Sequence, residues 1–352
     1  MGANWLHGVG GRMKNPLYKM SQKIHLKTSF SDFANVSYNT YKQGGGLYED
    51  KEVKSAIRRV EEILELAQNC SRNSDDDLSI LAFERLKKLE PKTMLEKMIE
   101  YFYFDGEQGE GSRVTSLKHV LPFAESYNYG DNSYFVADSR GFESLVHYIA
   151  KQFLSYHNHI VTDPRVKFNE VVIEIYQSES GVIVRTEDGN MYQARLAIVS
   201  PSLGVLQNDL IKFIPELPVG KRIAIAEFDI GVYTKIFLKF PHKFWPTGNG
   251  TEFFFYVHER RGYYAIWQHL ENEYPGSNIM FVTLTDEEAI RVEQQHDKKI
   301  EEEAMNVLKE MFGENIPNPT DIMIPKWKSD RFYQGCFTNW PVGYSQERHN
   351  EL

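Results

Sequence analysis

Apolar and polar positions alternate most cleanly over residues 231–240. Val232, Thr234, Ile236, Leu238 and Phe240 fall on one side of a strand, and Tyr233, Lys235, Phe237 and Lys239 on the other. The first face is apolar enough to lie on a core. The second sets a lysine between aromatic rings at i−2 and i+2. Two environments satisfy that face. In water, the lysine stem lies over the rings and its head stays hydrated. In a cavity, the amine loses its hydration and is poised for proton chemistry. Periodicity alone leaves both open.

A helical period governs 50–70, where Val53, Ile57, Val60, Ile63, Leu64 and Ala67 share a stripe. Ser74 is placed to cap a further helix with Asp75, Asp76 and Asp77 in its first turn, where the helix dipole favours anions. Consecutive helical side chains diverge, so the acidic triplet reads as a cap rather than a metal cluster. A third helix is expected over 93–103, and Arg140-Gly141 opens another carrying Phe142, Leu145, Val146, Ile149 and Phe153 inward. From 166 the period becomes two. Strands are expected at 166–176, 181–187, 191–195, 196–200, 231–240, 252–258, 262–269 and 278–285, then one amphipathic helix over 286–312 and a strand over 321–328. Helix-rich and strand-rich stretches alternate too often for two sequential domains. An interleaved α+β (α/β) arrangement fits better.

Bulk properties narrow the function. A chain of 352 residues with net charge −9 lacks the basic surface that nucleic acid requires, and its charge favours cationic ligands. No apolar run approaches the roughly 20 residues of a membrane span. Cys70 and Cys336 are too few for a disulfide framework or a zinc site. Sequons at Asn35, Asn69 and Asn249 hint at secretion, although the first residues do not read as a signal peptide. The segment Gly106-Glu-Gln-Gly-Glu-Gly-Ser112 reads as a glycine-rich loop. It is not a phosphate cradle, since no strand precedes it and no Lys-Ser/Thr closes it.

Six stretches, in order, resemble the flavin-dependent amine oxidases, and among them the plant polyamine oxidases. They are Gly2-Ala-Asn-Trp-Leu-His-Gly8, Tyr134-Phe-Val-Ala-Asp-Ser-Arg-Gly141, Asn169-Glu-Val171, Val199-Ser-Pro-Ser-Leu-Gly-Val-Leu206, Val232-Tyr-Thr-Lys-Ile-Phe-Leu-Lys-Phe-Pro241 and Trp327-Lys-Ser-Asp-Arg-Phe-Tyr-Gln-Gly-Cys-Phe337. The resemblance covers essentially the whole chain. It implies FAD as cofactor, molecular oxygen as oxidant, and spermine or spermidine as substrate, with neither nucleic acid nor membrane as partner. It also implies an extracellular, apoplastic setting for a complete parent protein. Lys235 matches the lysine that holds a water against flavin N5. Tyr233 lies beside the substrate channel, Glu107 faces the tunnel, and Phe337 walls the ring. Gly2, Ala3, Asn4 and Trp5 pass the flavin, Val171 meets the adenine, and Trp327 packs nearby. His7 stands where the best-known plant members carry a glutamate, and Gly106 where a tyrosine is expected. The first change takes this position from −1 to neutral or positive.

The implied division places 1–24, 125–220 and 338–352 in a partial FAD-binding domain, and 25–124 and 221–337 in a substrate domain. The family's opening Gly-x-Gly-x-x-Gly turn is missing from the sequence, because Gly8-Val-Gly-Gly11 has neither its spacing nor its preceding strand. The chain therefore reads as a family member shortened at both ends. An alternative role is a catalytically inactive remnant that binds polyamine or a partner. With no helix N-terminus to cradle the pyrophosphate, FAD is expected to bind weakly. Titrating the purified chain with FAD checks this, and a stoichiometric yellow complex would contradict it.

Overall fold

Six strands form the central sheet, in the order Asp321–Met323, Tyr233–Lys239, Ile279–Thr285, Ile266–His269, Phe253–Val257 and Thr40–Lys42. Neighbours run antiparallel except the last pair, which is parallel. The computed structural model describes residues 2–33, 35–73, 76–121, 129–158 and 160–352.

The two faces of this sheet take different partners, as strand alternation requires. Ile236, Leu238, Phe240, Val282 and Leu284 pack under helices Asp286–Glu293 and Asp297–Phe312, against Ala289, Val292, Ile300, Ala304 and Leu308. On the other face, helices Asp50–Asn73 and Met94–Tyr103 cover one end through Val53, Val60 and Ile99 against Phe253, Phe255 and Val257. A capping box between Thr93 and Glu96 fixes the start of the second helix. The other end of the same face meets a three-stranded sheet of Trp5–Val9, Asn132–Val136 and Thr28–Phe30, through Trp5, Phe135, Phe237 and Phe281. A separate sheet joins Lys212–Ile214, in parallel, to the meander Val172–Ser178, Gly181–Thr186 and Met191–Ala194.

The structure revises several expected elements. The helix expected over 286–312 is two helices, broken at 294–296. Each half starts with its own acidic residue or residues, Asp286, Glu287 and Glu288 in one and Asp297 in the other. Lys326 pins the break, reaching the Gln295 carbonyl at 3.0 Å and Asp297 at 2.9 Å. Ser74 and Asp75 lie outside the described residues. The helix that follows begins at Ile80 with Ser79 as its cap, so Asp76 and Asp77 precede it. Asp77 instead accepts hydrogen bonds from Ser116 Oγ and from the Gly343 N–H. The strand expected at 166–176 starts at Val172, and that at 321–328 stops at Met323. Residues 196–200 form no strand. Leu196 is 80% and Ile198 97% exposed, and without a neighbour a β pattern has no ladder to join. Among the described residues no helix is long and apolar enough to cross a membrane.

Ile236 is fully buried between the sheet and the two C-terminal helices. Ile236→Ala is expected to cost about 2–5 kcal/mol, read as a shift in the urea midpoint.

Candidate active site

Lys235 lies on the face shared with Tyr233 and Phe237, and its cross-strand partner is Thr283. The three-stranded sheet closes over this face, so only 8% of the residue remains exposed. Its Nζ lies 4.5 Å from the ring centroid of Trp5, 5.0 Å from that of Phe281 and 6.0 Å from that of Tyr233. Of the two environments that periodicity left open, water is ruled out: the amine is buried among rings. Among the described residues Lys235 forms no ion pair. Ring faces alone offset part of the lost hydration. Burial therefore pushes the amine from 10.5 down to about 8, against a weaker upward pull from Cys336. The same burial drives the Cys336 thiol up to about 11; its Sγ donates to the Tyr233 carbonyl at 3.3 Å.

Backbone pairing gathers three distant segments around Gly231. The Gly231 N–H donates to the Phe337 carbonyl at 2.8 Å, the Cys336 N–H to the Gly231 carbonyl at 3.0 Å, and the Val232 N–H to the Gly109 carbonyl at 3.0 Å. Glycine is required at 109. Its φ is +70°, and a Cβ there would lie 3.1 Å from the Phe337 ring. The Phe337 and Tyr233 rings consequently sit 5.7 Å apart at the edge of the lysine site. Burial raises the Tyr233 phenol, and the Glu107 carboxylate raises it further.

Glu107 is exposed and sits on a helical turn, Asp105–Gln108, where the sequence suggested a loop. The turn forms because Asp105 is fixed from two sides. Arg261 grips it at 2.8 and 2.9 Å, and the Ser112 N–H donates to it at 3.1 Å. Arg261 also binds Glu100, and the buried Glu84 nearby is pushed up to about 8 by desolvation and by the Glu100 charge. Gly106 belongs to the same turn, and a Cβ there would meet Ile266 Cδ1 at 3.3 Å.

The remaining expected residues spread around this centre. His7 is exposed on the strand that carries Trp5, with Nδ1 2.8 Å from Ser133 Oγ. Asn4 accepts from the Val136 N–H at 2.8 Å and its side chain donates to the Gly2 carbonyl at 3.0 Å; Gly2 and Ala3 are exposed. Trp327 is half-buried and opens the loop that ends at Phe337, with its carbonyl accepting from the Gly335 N–H at 3.1 Å. Val171 stands apart from Lys235, in a groove of about 770 Å³ with Val184, Ala197, Ile198, Val205 and Phe332. Sequence reasoning missed Cys336, Phe281 and Arg261. Cys336 adjoins Phe337 and could have been found from that, whereas Phe281 and Arg261 reach the site only through sheet register and tertiary folding.

The whole chain, 1–352, matches the family model described as flavin containing amine oxidoreductase. It is 46% identical to polyamine oxidase 1 of Zea mays, over all of this chain and 73% of that protein. It is 45% identical to polyamine oxidase 6 of Oryza sativa subsp. japonica, over all of this chain and 73% of that protein. The fold is similar to a solved double mutant of putrescine oxidase with redesigned cofactor binding, with a TM-score of 0.66 at 15% identity, covering 95% of this chain and 77% of that one.

The residues present fit two parts of a flavin nucleotide. The groove at Val171 is apolar enough that it would seat a base, and the rings of Trp5, Tyr233 and Phe281 around Lys235 would give aromatic surface to the flavin ring. The loop 327–337 joins them, since Phe332 lines the groove and Phe337 the lysine site.

The lysine has a stability signature. The folded chain holds this proton less tightly than the unfolded chain, so stability rises with pH between about 8 and 10.5. Lys235→Met is expected to stabilise the fold by about 3 kcal/mol below pH 8, with the gain gone above pH 10.5. Denaturant melts at pH 7 and pH 10 check the sign.

Proposed function

This chain belongs to the flavin-containing amine oxidoreductase family, and on that premise we propose that it oxidises polyamines of the spermine and spermidine type. Oxidation leaves an iminium and reduces oxygen to hydrogen peroxide, and water then hydrolyses the iminium to an aminoaldehyde and a smaller amine. The observation that carries the reading is the Lys235 amine, buried among Trp5, Phe281 and Tyr233 with its proton affinity brought down to about 8.

Polyamines are long cations whose amines hold protons up to pH roughly 10. The nitrogen next to the reacting carbon must be neutral before a hydride equivalent can leave that carbon. The chemistry that FAD would supply when bound is the two-electron oxidation of that carbon, with molecular oxygen as final acceptor and hydrogen peroxide as its product. The chain's own residues supply position, dryness and proton control. Trp5, Tyr233 and Phe337 exclude water and line up methylene stems. Lys235 exchanges a proton near neutral pH, because burial has moved its affinity into that range. Glu107 offers a negative charge for a distal ammonium group, from an exposed turn beside the Tyr233 edge. His7, exposed on the Trp5 strand, stands where the resemblance expects an acid and adds no negative charge of its own.

Adding spermidine to the FAD-supplemented protein should release peroxide, measured with a coupled peroxidase. An inactive polyamine-binding remnant would bind spermidine and release none. Lys235→Met should slow flavin reduction or reoxidation by about 10²–10⁴-fold in stopped flow. Unchanged rates for both half-reactions would remove the role given to this residue.

A further inference from the structure

Alternation along 231–240 sets Tyr233 and Phe237 on either side of Lys235, but the amine does not rest on both. Among the described residues, the rings under its Nζ are Trp5 at 4.5 Å, Phe281 at 5.0 Å and Tyr233 at 6.0 Å. Phe237 packs on Phe281, its directly opposite cross-strand partner, with ring centroids 4.9 Å apart. Phe281 is 2% exposed. It shares the lysine's face because Thr283 pairs with Lys235, and residues two apart on a strand point the same way. Trp5 arrives separately, from the three-stranded sheet, with its ring T-shaped to that of Phe135 at 5.0 Å.

The titratable groups that face Lys235 are Cys336, on the loop 327–337, and Tyr233, on its own strand. Burial raises both, the thiol to about 11, so both are neutral where the lysine exchanges its proton. His7, on the Trp5 strand, is bonded to Ser133, Glu107 bears on Tyr233, and Lys239 is exposed at the far end of the strand.

We propose that Phe281 is a positioning residue for Lys235, whose ring face, with that of Trp5, holds the ammonium in place of a carboxylate. A carboxylate partner would favour the charged amine and carry its proton affinity back up, ending exchange near neutral pH. A lysine buried with nothing in return gives up its proton at about pH 5–6. A ring face returns part of the lost hydration without supplying a charge, which leaves the amine between those limits, at about 8. Packing against Phe237 keeps the Phe281 ring in place under the amine. The inference deepens the reading of Lys235 as the functional amine and rests on it.

The test uses the full chain without added FAD and follows tryptophan fluorescence against pH. The Lys235 transition is the component absent from both Lys235→Met and Trp5→Phe. Phe281→Leu keeps the site apolar and removes the ring face, so it is expected to lower the midpoint by about half a unit. Phe281→Ala opens a hole that water can enter beside the amine, and is expected to raise the midpoint. Opposite shifts are the signature of a ring that both dries the amine and holds its charge. A side chain that only fills space would lower the melting temperature in both variants without lowering the Phe281→Leu midpoint. An unchanged or raised midpoint in folded Phe281→Leu, a Phe281→Ala midpoint that does not rise, or no Lys235-dependent transition at all overturns the proposal. Should Phe281→Ala fail to fold, Phe281→Leu decides alone. Because no flavin takes part, a failure here is separate from a failure of Lys235 in amine oxidation.

Discussion

Desolvation of one ammonium group is the constraint around which the sheet is arranged. A lysine taken out of water without a counter-charge is costly, and the cost appears as a lowered proton affinity rather than as a lost fold. The fold tolerates it because the opposite face of the same strand is committed to the main core. Ile236 and Leu238 are fully buried under two helices, and their burial holds the strand in register. A one-residue slip would exchange the faces and put the lysine into that core. The alternation that stabilises the sheet is thus the same feature that delivers the amine to the site.

Negative charge is handled differently. Asp105 and Glu100 converge on the single guanidinium of Arg261, with Glu84 beside them, and this cluster sets the turn from which Glu107 projects. Glu110 and Asp286, lying close by, are pushed up to about 8 and about 6 by burial and by neighbouring acids. These acids are thus either paired with Arg261 or held toward their neutral form, so the cluster fixes the turn without leaving several bare carboxylates in one place.

Much of this was legible in the sequence. The strand carrying Lys235, its two faces, and the helices at 50–70 and 93–103 follow from apolar periodicity. The gathering of Tyr233 and Phe337 near it was implied by ordered motifs. Periodicity could not tell the cavity from water, because the decision rests on Trp5 and Phe135, whose strands come from far away in the chain and close over the lysine. The break at 294–296 shows in the sequence only as a lapse of the apolar stripe, with residues 293–299 all polar between Val292 and Ile300, and Lys326, arriving from another segment, fixes the turn. The apolar run at 196–200 carries a strand pattern, but a strand is a relation between two segments, and local sequence describes only one of them.

The loop 327–337 ties two separate surfaces together. Arg331 pairs with Glu187 at 2.8 Å and Phe332 lines the Val171 groove, which ties the middle of the loop to the small sheet. Ser329 Oγ and its backbone N–H both bond Glu293, each at 2.9 Å, and Glu293 in turn receives Thr234 Oγ1 at 2.7 Å. Thr234 is the residue between Tyr233 and Lys235. The loop is therefore bonded near both ends to the strand that presents the amine, through Ser329 and through Cys336 and Phe337, and at its middle to the groove. A shift of the groove wall relative to the sheet must strain these bonds. The spacing between the Val171 groove and the strand of the lysine is accordingly set by the covalent chain and by these polar contacts.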